Sequence, residues 1–448
     1  MLSPELARDT AQRLVERALA AGADAADALY SGHHSTSVQV RLGELEQVER
    51  SEGEDVGLRV FLGQCSATVA SSDFADDSLD ALVSRALAMA AEAPEDPFAG
   101  LAPAELLERG LTPAIDGEDA SRPTPEQLRA MALQAEGAAL AVPKVTNSSG
   151  GSAGNSVSIV ALATSGGFSG AYRSTGYSCS AGVIAGEGAG MQRDHAWHGV
   201  RHMEDLDSPE DIGRLAGQRA AARVGSGKPA ARRMPVIFDP RVSSSLLGHW
   251  GAAISGSAVA RKSSFLQDRL GDQIFARGVS IVDDPLRARG LRSRPFDAEG
   301  VRVSRQELVA DGVLMHWIAD SAAARQLGIA PTGHAVRSAG GPPGVGPSNL
   351  MMLPGRRSRD ELLAAFPEAL LVVELIGQGA NPVTGDYSRG AAGFIVRGGA
   401  IAEPVAEVTI ASNLIEMFAT LEPGSDLELR RGIDAPTVLV PEMTVASG

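Results

Sequence analysis

The sequence predicts an α+β fold in two domains, and three features carry that expectation. At 448 residues the chain exceeds what one hydrophobic core usually organises. Segments that alternate apolar and polar residues, punctuated by many of the 51 glycines, read as antiparallel strands. Helical patterns stand segregated among these strands, which is the arrangement of an α+β protein.

Ser3 can cap a first helix with Pro4 at its first position. Ala7, Ala11, Leu14, Val15, Ala18 and Leu19 then recur at helical spacing until Gly22. Val38 to Leu42, Leu45 to Val48 and Val56 to Leu62 alternate with polar residues between Gly43, Gly53 and Gly63, and read as hairpin-linked strands. Leu79, Leu82, Val83, Ala86, Leu87 and Ala90 share one face of a second helix, and a third spans about Pro125 to Leu140. Short alternating segments from Lys144 to about His202 predict more antiparallel strands, and a helix from Ser208 to about Val224 closes this half.

The small, basic stretch Gly225 to Arg233 suits a domain junction before the apolar strand Pro235 to Phe238. The expected domains are therefore residues 1–226, helices with an antiparallel sheet, and residues 227–448, a strand-rich, barrel-like antiparallel domain. The second opens with a helix from Pro240 to about Val259. It continues through turns at Asp283-Asp284-Pro285, Asp311-Gly312, Gly340 to Gly344 and Asn381-Pro382.

A formal net charge of −15 repels phosphate backbones and anionic lipid, so nucleic acid and membrane surfaces are poor partners. The two cysteines, Cys65 and Cys179, form no C-x-x-C pair, which fits a reducing cytoplasm and excludes a thiolate zinc cluster. No basic segment followed by an apolar one opens the chain, and no apolar run approaches the roughly 18–20 residues of a membrane span. Neither a signal peptide nor a membrane anchor is expected.

Zincin-type chemistry needs two histidines one helical turn apart and an adjacent glutamate, and the sequence contains no His-Glu dipeptide. His195, His198 and His202 cluster in sequence, but the local pattern reads as a strand, on which His195 and His198 face opposite ways. His249 lies on a predicted helix, while His316 and His334 are isolated. The acids Asp283, Asp284, Asp297 and Glu299 could hold a hard cation or simply form turns. Cys179 has no cation nearby and reads as a buried small residue. No catalytic residue and no metal ligand is assigned to this chain.

From about Ser37 to Val445 the sequence resembles the TldD/PmbA family, once labelled modulators of DNA gyrase. The resemblance rests on Asn381-Pro382-Val383-Thr384-Gly385-Asp386-Tyr387-Ser388-Arg389-Gly390, on Pro404 to Ala411, on Arg261 to Leu266 and on Thr332 to Arg337. These segments look like the TldE/PmbA branch. The resemblance implies a heterodimer with a TldD-type metallopeptidase subunit that carries the zinc and the catalytic glutamate, with no cofactor on this chain. It also implies peptide substrates, and leaves open a homodimer without the partner. The helix comparable to the TldD-type H-E-x-x-x-H helix reads Leu246 to Gly256 here, with His249 but neither the glutamate nor the second histidine. Asn381, Thr384, Asp386, Tyr387, Ser388 and Arg389 are the candidates for facing the substrate cavity. A non-catalytic regulator, such as a gyrase modulator, is the alternative.

Overall fold

The structure, a computed structural model, describes residues 1–110 and 112–447. In the first half, the Ser3 hydroxyl accepts from the Leu6 amide and starts α1 (Pro4–Ala20). Then follow β1 (Ala25–Arg41), β2 (Glu44–Leu62), β3 (Cys65–Ser71) and α2 (Asp76–Glu92). A reciprocal capping box between Thr124 and Gln127 starts α3 (Pro125–Leu140). After it come β4 (Val145–Thr164), β5 (Ser169–Ala185), β6 (Gln192–Val200) and α4 (Pro209–Ala222).

The six strands form one antiparallel sheet in the order β3-β2-β1-β4-β5-β6. Alternate side chains divide between its faces. Ala26 and Ala28 of β1 pack with α1 and α2, whereas Leu29 of β1 and Leu162 of β4 pack with Phe296 and Val301 from the second half. One face of the sheet thus carries helices, and the other receives the second half of the chain.

The second half opens with β7 (Arg232–Phe238), α5 (Pro240–Ala253), α6 (Gly256–Ala260), β8 (Ile281–Asp283), β9 (Gln306–Ala310), β10 (Val313–Leu314) and α7 (Ser321–Leu327). It continues with β11 (Ala335–Val336), β12 (Gly344–Val345), β13 (Leu350–Met352), α8 (Arg359–Leu363), β14 (Glu368–Ile376) and β15 (Asp386–Arg397). Last come β16 (Ala400–Asn413), α9 (Leu414–Thr420), β17 (Glu422–Pro423), β18 (Ile433–Asp434) and β19 (Val438–Ser447). Strands β16-β15-β14-β7-β19 close into a five-stranded barrel through β16–β19 pairing. Only β14 and β7 run parallel within it. A second sheet runs β10-β9-β8-β13-β18.

Three details differ from the sequence reading. Strand β2 runs through Gly53, which pairs with His33 instead of making a turn. The helix expected over 240–259 breaks after Ala253, because the amide of Gly256 donates to the Ile318 carbonyl at 2.7 Å and the amide of Ile318 donates to the Ile254 carbonyl at 3.1 Å. The second half also holds α7, α8 and α9, whose 7, 5 and 7 residues are too few to establish a period.

A buried ionic network joins the halves. Asp27 and Arg59 sit opposite each other across β1 and β2, with Arg59 Nε 2.8 Å from Asp27 Oδ2. Arg337 of the second half donates to the other oxygen of Asp27, and Glu299 lies 3.7 Å from Arg59. Burial pushes the Asp27 carboxyl up, but Arg337 and Arg59 more than offset this and hold it below the usual range. Burial raises Glu299 to about 7, with Arg59 pulling only part of the way back. Beside the network, a Cβ at Gly57 would overlap the Ala339 carbonyl, so the sheet and the 338–341 segment meet backbone to backbone.

Asp27→Ala should cost about 3–5 kcal/mol, because it strands two buried guanidinium groups. A shift in urea unfolding worth less than about 1 kcal/mol would contradict this role. Glu299 gives a pH test of opposite sign. Its folded pKa of about 7 lies above the ordinary 4.5, so its contribution is fully present below about pH 4.5 and is lost as pH rises through 7. Glu299→Gln should therefore gain thermal stability relative to the parent between pH 5 and pH 8; a difference independent of pH would refute the assignment.

Candidate functional site

A cleft of about 560 Å³ opens beside α5. The Asp239 side chain caps α5 by accepting from the Arg241 amide. Val242, Leu246, Leu247 and Trp250 bury the inner face of the helix, leaving His249 half-buried at the cleft. Ala258 of α6, Phe265, Val345 of β12, Pro347 and Asn381 complete the walls. Asn381 also lines a shallow trough of about 520 Å³ with Asp386, Tyr387 and Ser388.

The 377–385 loop is held by its own side chains. Asn381 Oδ1 accepts from the amides of Val383 (2.9 Å) and Thr384 (3.2 Å), and the Asn381 amide donates to the Asp386 carbonyl at 2.8 Å. Thr384 Oγ1 donates to Asp386 Oδ2 at 2.7 Å, and Asn413 Nδ2 donates to the Thr384 carbonyl at 3.0 Å. The Phe265 amide donates to the Pro382 carbonyl at 2.9 Å, which ties the loop to the chain after α6. Gly385 adopts φ 77°, and a Cβ there would press on Asn413 at 3.1 Å.

Of the six residues marked by the sequence, Asn381, Asp386, Tyr387 and Ser388 are brought together at the trough, whereas Thr384 and Arg389 line neither concavity. Tyr387 is 1% exposed and meets His249 edge-to-face, with ring centroids 5.9 Å apart. Burial raises its hydroxyl to about 12, and the neighbouring Arg389 guanidinium offsets part of the rise. Burial, then Arg389, holds His249 below its ordinary pKa, so the ring is neutral at pH 7. His249 Nε2, the Tyr387 hydroxyl and Arg389 Nε are buried without a hydrogen-bond partner among the described residues.

Several of the other candidate groups have structural partners. His195 and His198 point to opposite faces of β6; His198 Nδ1 accepts from the Asp207 amide at 3.1 Å, and His202 Nε2 lies 3.0 Å from the Asp116 carbonyl oxygen. Asp283 receives the Ser348 amide and hydroxyl, and His334 Nε2 stands 3.3 Å from it. Asp297 accepts from the amides of Glu299, Val301 and Ala335. Asp284 and Asp297 hold turns, as one of the two sequence readings had it, whereas Asp283 ties down Ser348 and Glu299 accepts from the Ser321 amide. Cys179 is buried, and burial pushes its thiol to about 11. Among the described residues no group of three or more His, Cys, Asp or Glu side chains is placed to hold a metal ion.

The approach of His249 to Tyr387 and Arg389 was not anticipated. Strand alternation offered one signal, since Tyr387 and Arg389 are two apart on β15 and share a face. Nothing local linked that face to α5.

Comparison with known proteins places this geometry. Residues 231–447 match the PmbA/TldA metallopeptidase C-terminal domain, 118–224 the central domain and 26–90 domain 1. The chain is 38% identical over 431 residues to Metalloprotease PmbA of Escherichia coli O157:H7, covering 96% of this chain and 94% of that protein. A PmbA homolog of Haemophilus influenzae is 35% identical, with the same two coverages. A Bacteroides thetaiotaomicron crystal structure, described as a candidate modulator of DNA gyrase, superposes with a TM-score of 0.92 at 25% identity over 100% of both chains. TldE from Thermococcus kodakarensis shares the fold, with a TM-score of 0.82 at 18% identity over 97% of this chain and 99% of that one. The chain belongs to the PmbA/TldD metallopeptidase family.

Proposed function

We propose that this chain is the metal-free subunit of a cytoplasmic TldD–TldE-type heterodimer that cleaves short or unfolded polypeptides. On this reading the TldD-type partner supplies the zinc and the general-base glutamate, and this chain shapes the cavity and holds the substrate. The observation that carries it is the composition of the α5 cleft. Among the described residues His249 is its one metal-ligating side chain, since no Cys, Asp or Glu among them lines it. Zinc in a catalytic site needs about three protein ligands, so these residues do not fit the ion.

The cleft suits a different occupant. His249, which lines it, keeps a buried Nε2 without a hydrogen-bond partner among the described residues. A buried polar atom without a partner costs about 1–3 kcal/mol, which a backbone group of a bound peptide, or water before it arrives, would recover. Apolar walls at Leu247, Phe265 and Val345 accept side chains without demanding a particular sequence. Among the described residues no helix is long and apolar enough to cross a membrane, and the acidic charge disfavours anionic lipid.

A second reading, a regulator that binds without cleaving, draws on two neighbours, from Bacteroides thetaiotaomicron and Thermotoga maritima, described as candidate modulators of DNA gyrase. The two readings separate in one assay. An unstructured peptide incubated with this chain, with a TldD-type partner or with both should be cut only in the mixture, and a chelator should stop it. Cleavage by this chain alone would overturn the division of labour, and stable association with no cleavage would favour the regulator. In the active mixture, His249→Ala should raise KM about fivefold, the weight of one hydrogen bond of about 1 kcal/mol, with kcat within about twofold. A fall in kcat of about 100-fold or more would place acid–base chemistry on this chain.

A further inference from the structure

We propose, building on the peptidase reading, that the α5 cleft selects peptide segments carrying a carboxylate beside an apolar residue, with Arg261 and Arg292 pairing the carboxylate. The chain as a whole carries a net charge of −15, yet among the described residues the only charged side chains lining this cleft are these two arginines. An acidic protein that presents only cations at one concavity concentrates anions there.

Both arginines are exposed to solvent, and neither has an ion-pair partner among the described residues. Arg261 follows α6 and has no side-chain hydrogen bond or ion pair among the described residues. Arg292 spends one N–H on the Pro347 carbonyl, at 3.3 Å, out of the five donors a guanidinium carries. Its pKa is depressed, first by burial and then by the nearby Arg294, with Asp283 opposing, so an incoming anion would meet an uncompensated positive field. Asp283 itself is committed to Ser348 and His334.

The nearest acid on the loop is turned away. Asp386 faces the trough, with its carboxylate occupied by Thr384 Oγ1 at 2.7 Å and Asn413 Nδ2 at 3.3 Å. The same lining carries the apolar side chains of Leu247, Ala252, Phe265 and Val345. A segment with an acidic side chain or a free C-terminus next to a Leu-like residue matches both features. Arg forks pair carboxylates bidentately, which adds direction to the attraction.

The test measures anisotropy of labelled hexapeptides on this chain alone and on its complex with a chelator-inactivated TldD-type partner. One pair of peptides differs only as Glu against Gln, and a second only as free acid against C-terminal amide. The acidic member of at least one pair should bind about three- to tenfold tighter, and the pair that responds identifies the source of the carboxylate. The preference should fade in about 1 M salt, where the Debye length falls to about 3 Å. In R261A and R292A the acidic peptide should weaken towards the neutral one, while the neutral peptide binds as before. Equal binding of both members in both pairs would overturn this inference and leave the peptidase reading standing. No binding of any peptide, to the chain or the complex, would overturn both.

Discussion

The buried contact of Asp27 with Arg59 and Arg337 is the constraint on which the cleft depends. Asp27 and Arg59 belong to the sheet of the first half, and Arg337 to a segment of the second half that follows β11. Pinning Arg337 lays Ala339 against Gly57, and the same short segment leads into β12, which pairs back on β11 and delivers Val345 and Pro347 to the cleft wall. The far end is fixed by Asp283, which takes the amide and hydroxyl of Ser348. Asn349 then accepts from the amide of Arg292, setting the backbone from which that arginine reaches the cleft. An ion pair deep in the domain contact thus sets the position of one wall of the cleft. Buried pairs of this kind hold register and geometry better than they add net stability.

The opposite wall is built from the barrel. Strand β14 leads into the 377–385 loop and β15 returns from it, so the loop hangs from two neighbouring strands of a closed sheet that has no free edge to shift. Asn381 and Thr384 lock the loop internally, and the Phe265 amide joins it to the chain that leaves α6. Two rigid walls and an α5 floor give a cleft with His249 on the floor and apolar surface at the sides. On the proposed reading, the cleft lining and the unpartnered His249 Nε2 belong to a subunit that holds a chain which another subunit cuts.

Much of the fold was legible because its signals are local. Ser3-Pro4 and Thr124 with Gln127 announce α1 and α3, and alternation announces the strands on either side of Gly53. What escaped is non-local. The break between α5 and α6 comes from Ile318; a barrel-like domain was expected, but not which strands, β16 and β19, close it. Asp27 and Arg337 are separated by 310 residues, and no pattern in a single sequence pairs them. At the site, the turn around Asn381 could be read from its Asn-Pro and Thr-Gly-Asp residues. The packing of Tyr387 and Arg389 under His249 could not, because it needs β15 and α5 brought together by the barrel.

The central claim is that the chemistry of the complex resides on the partner while this chain provides the cleft. Elemental analysis of the two subunits, separated after co-purification as the active complex, tests it most directly. The account predicts that the zinc stays with the TldD-type chain and that this chain carries less than a stoichiometric amount. About one tightly held zinc per copy of this chain would contradict it.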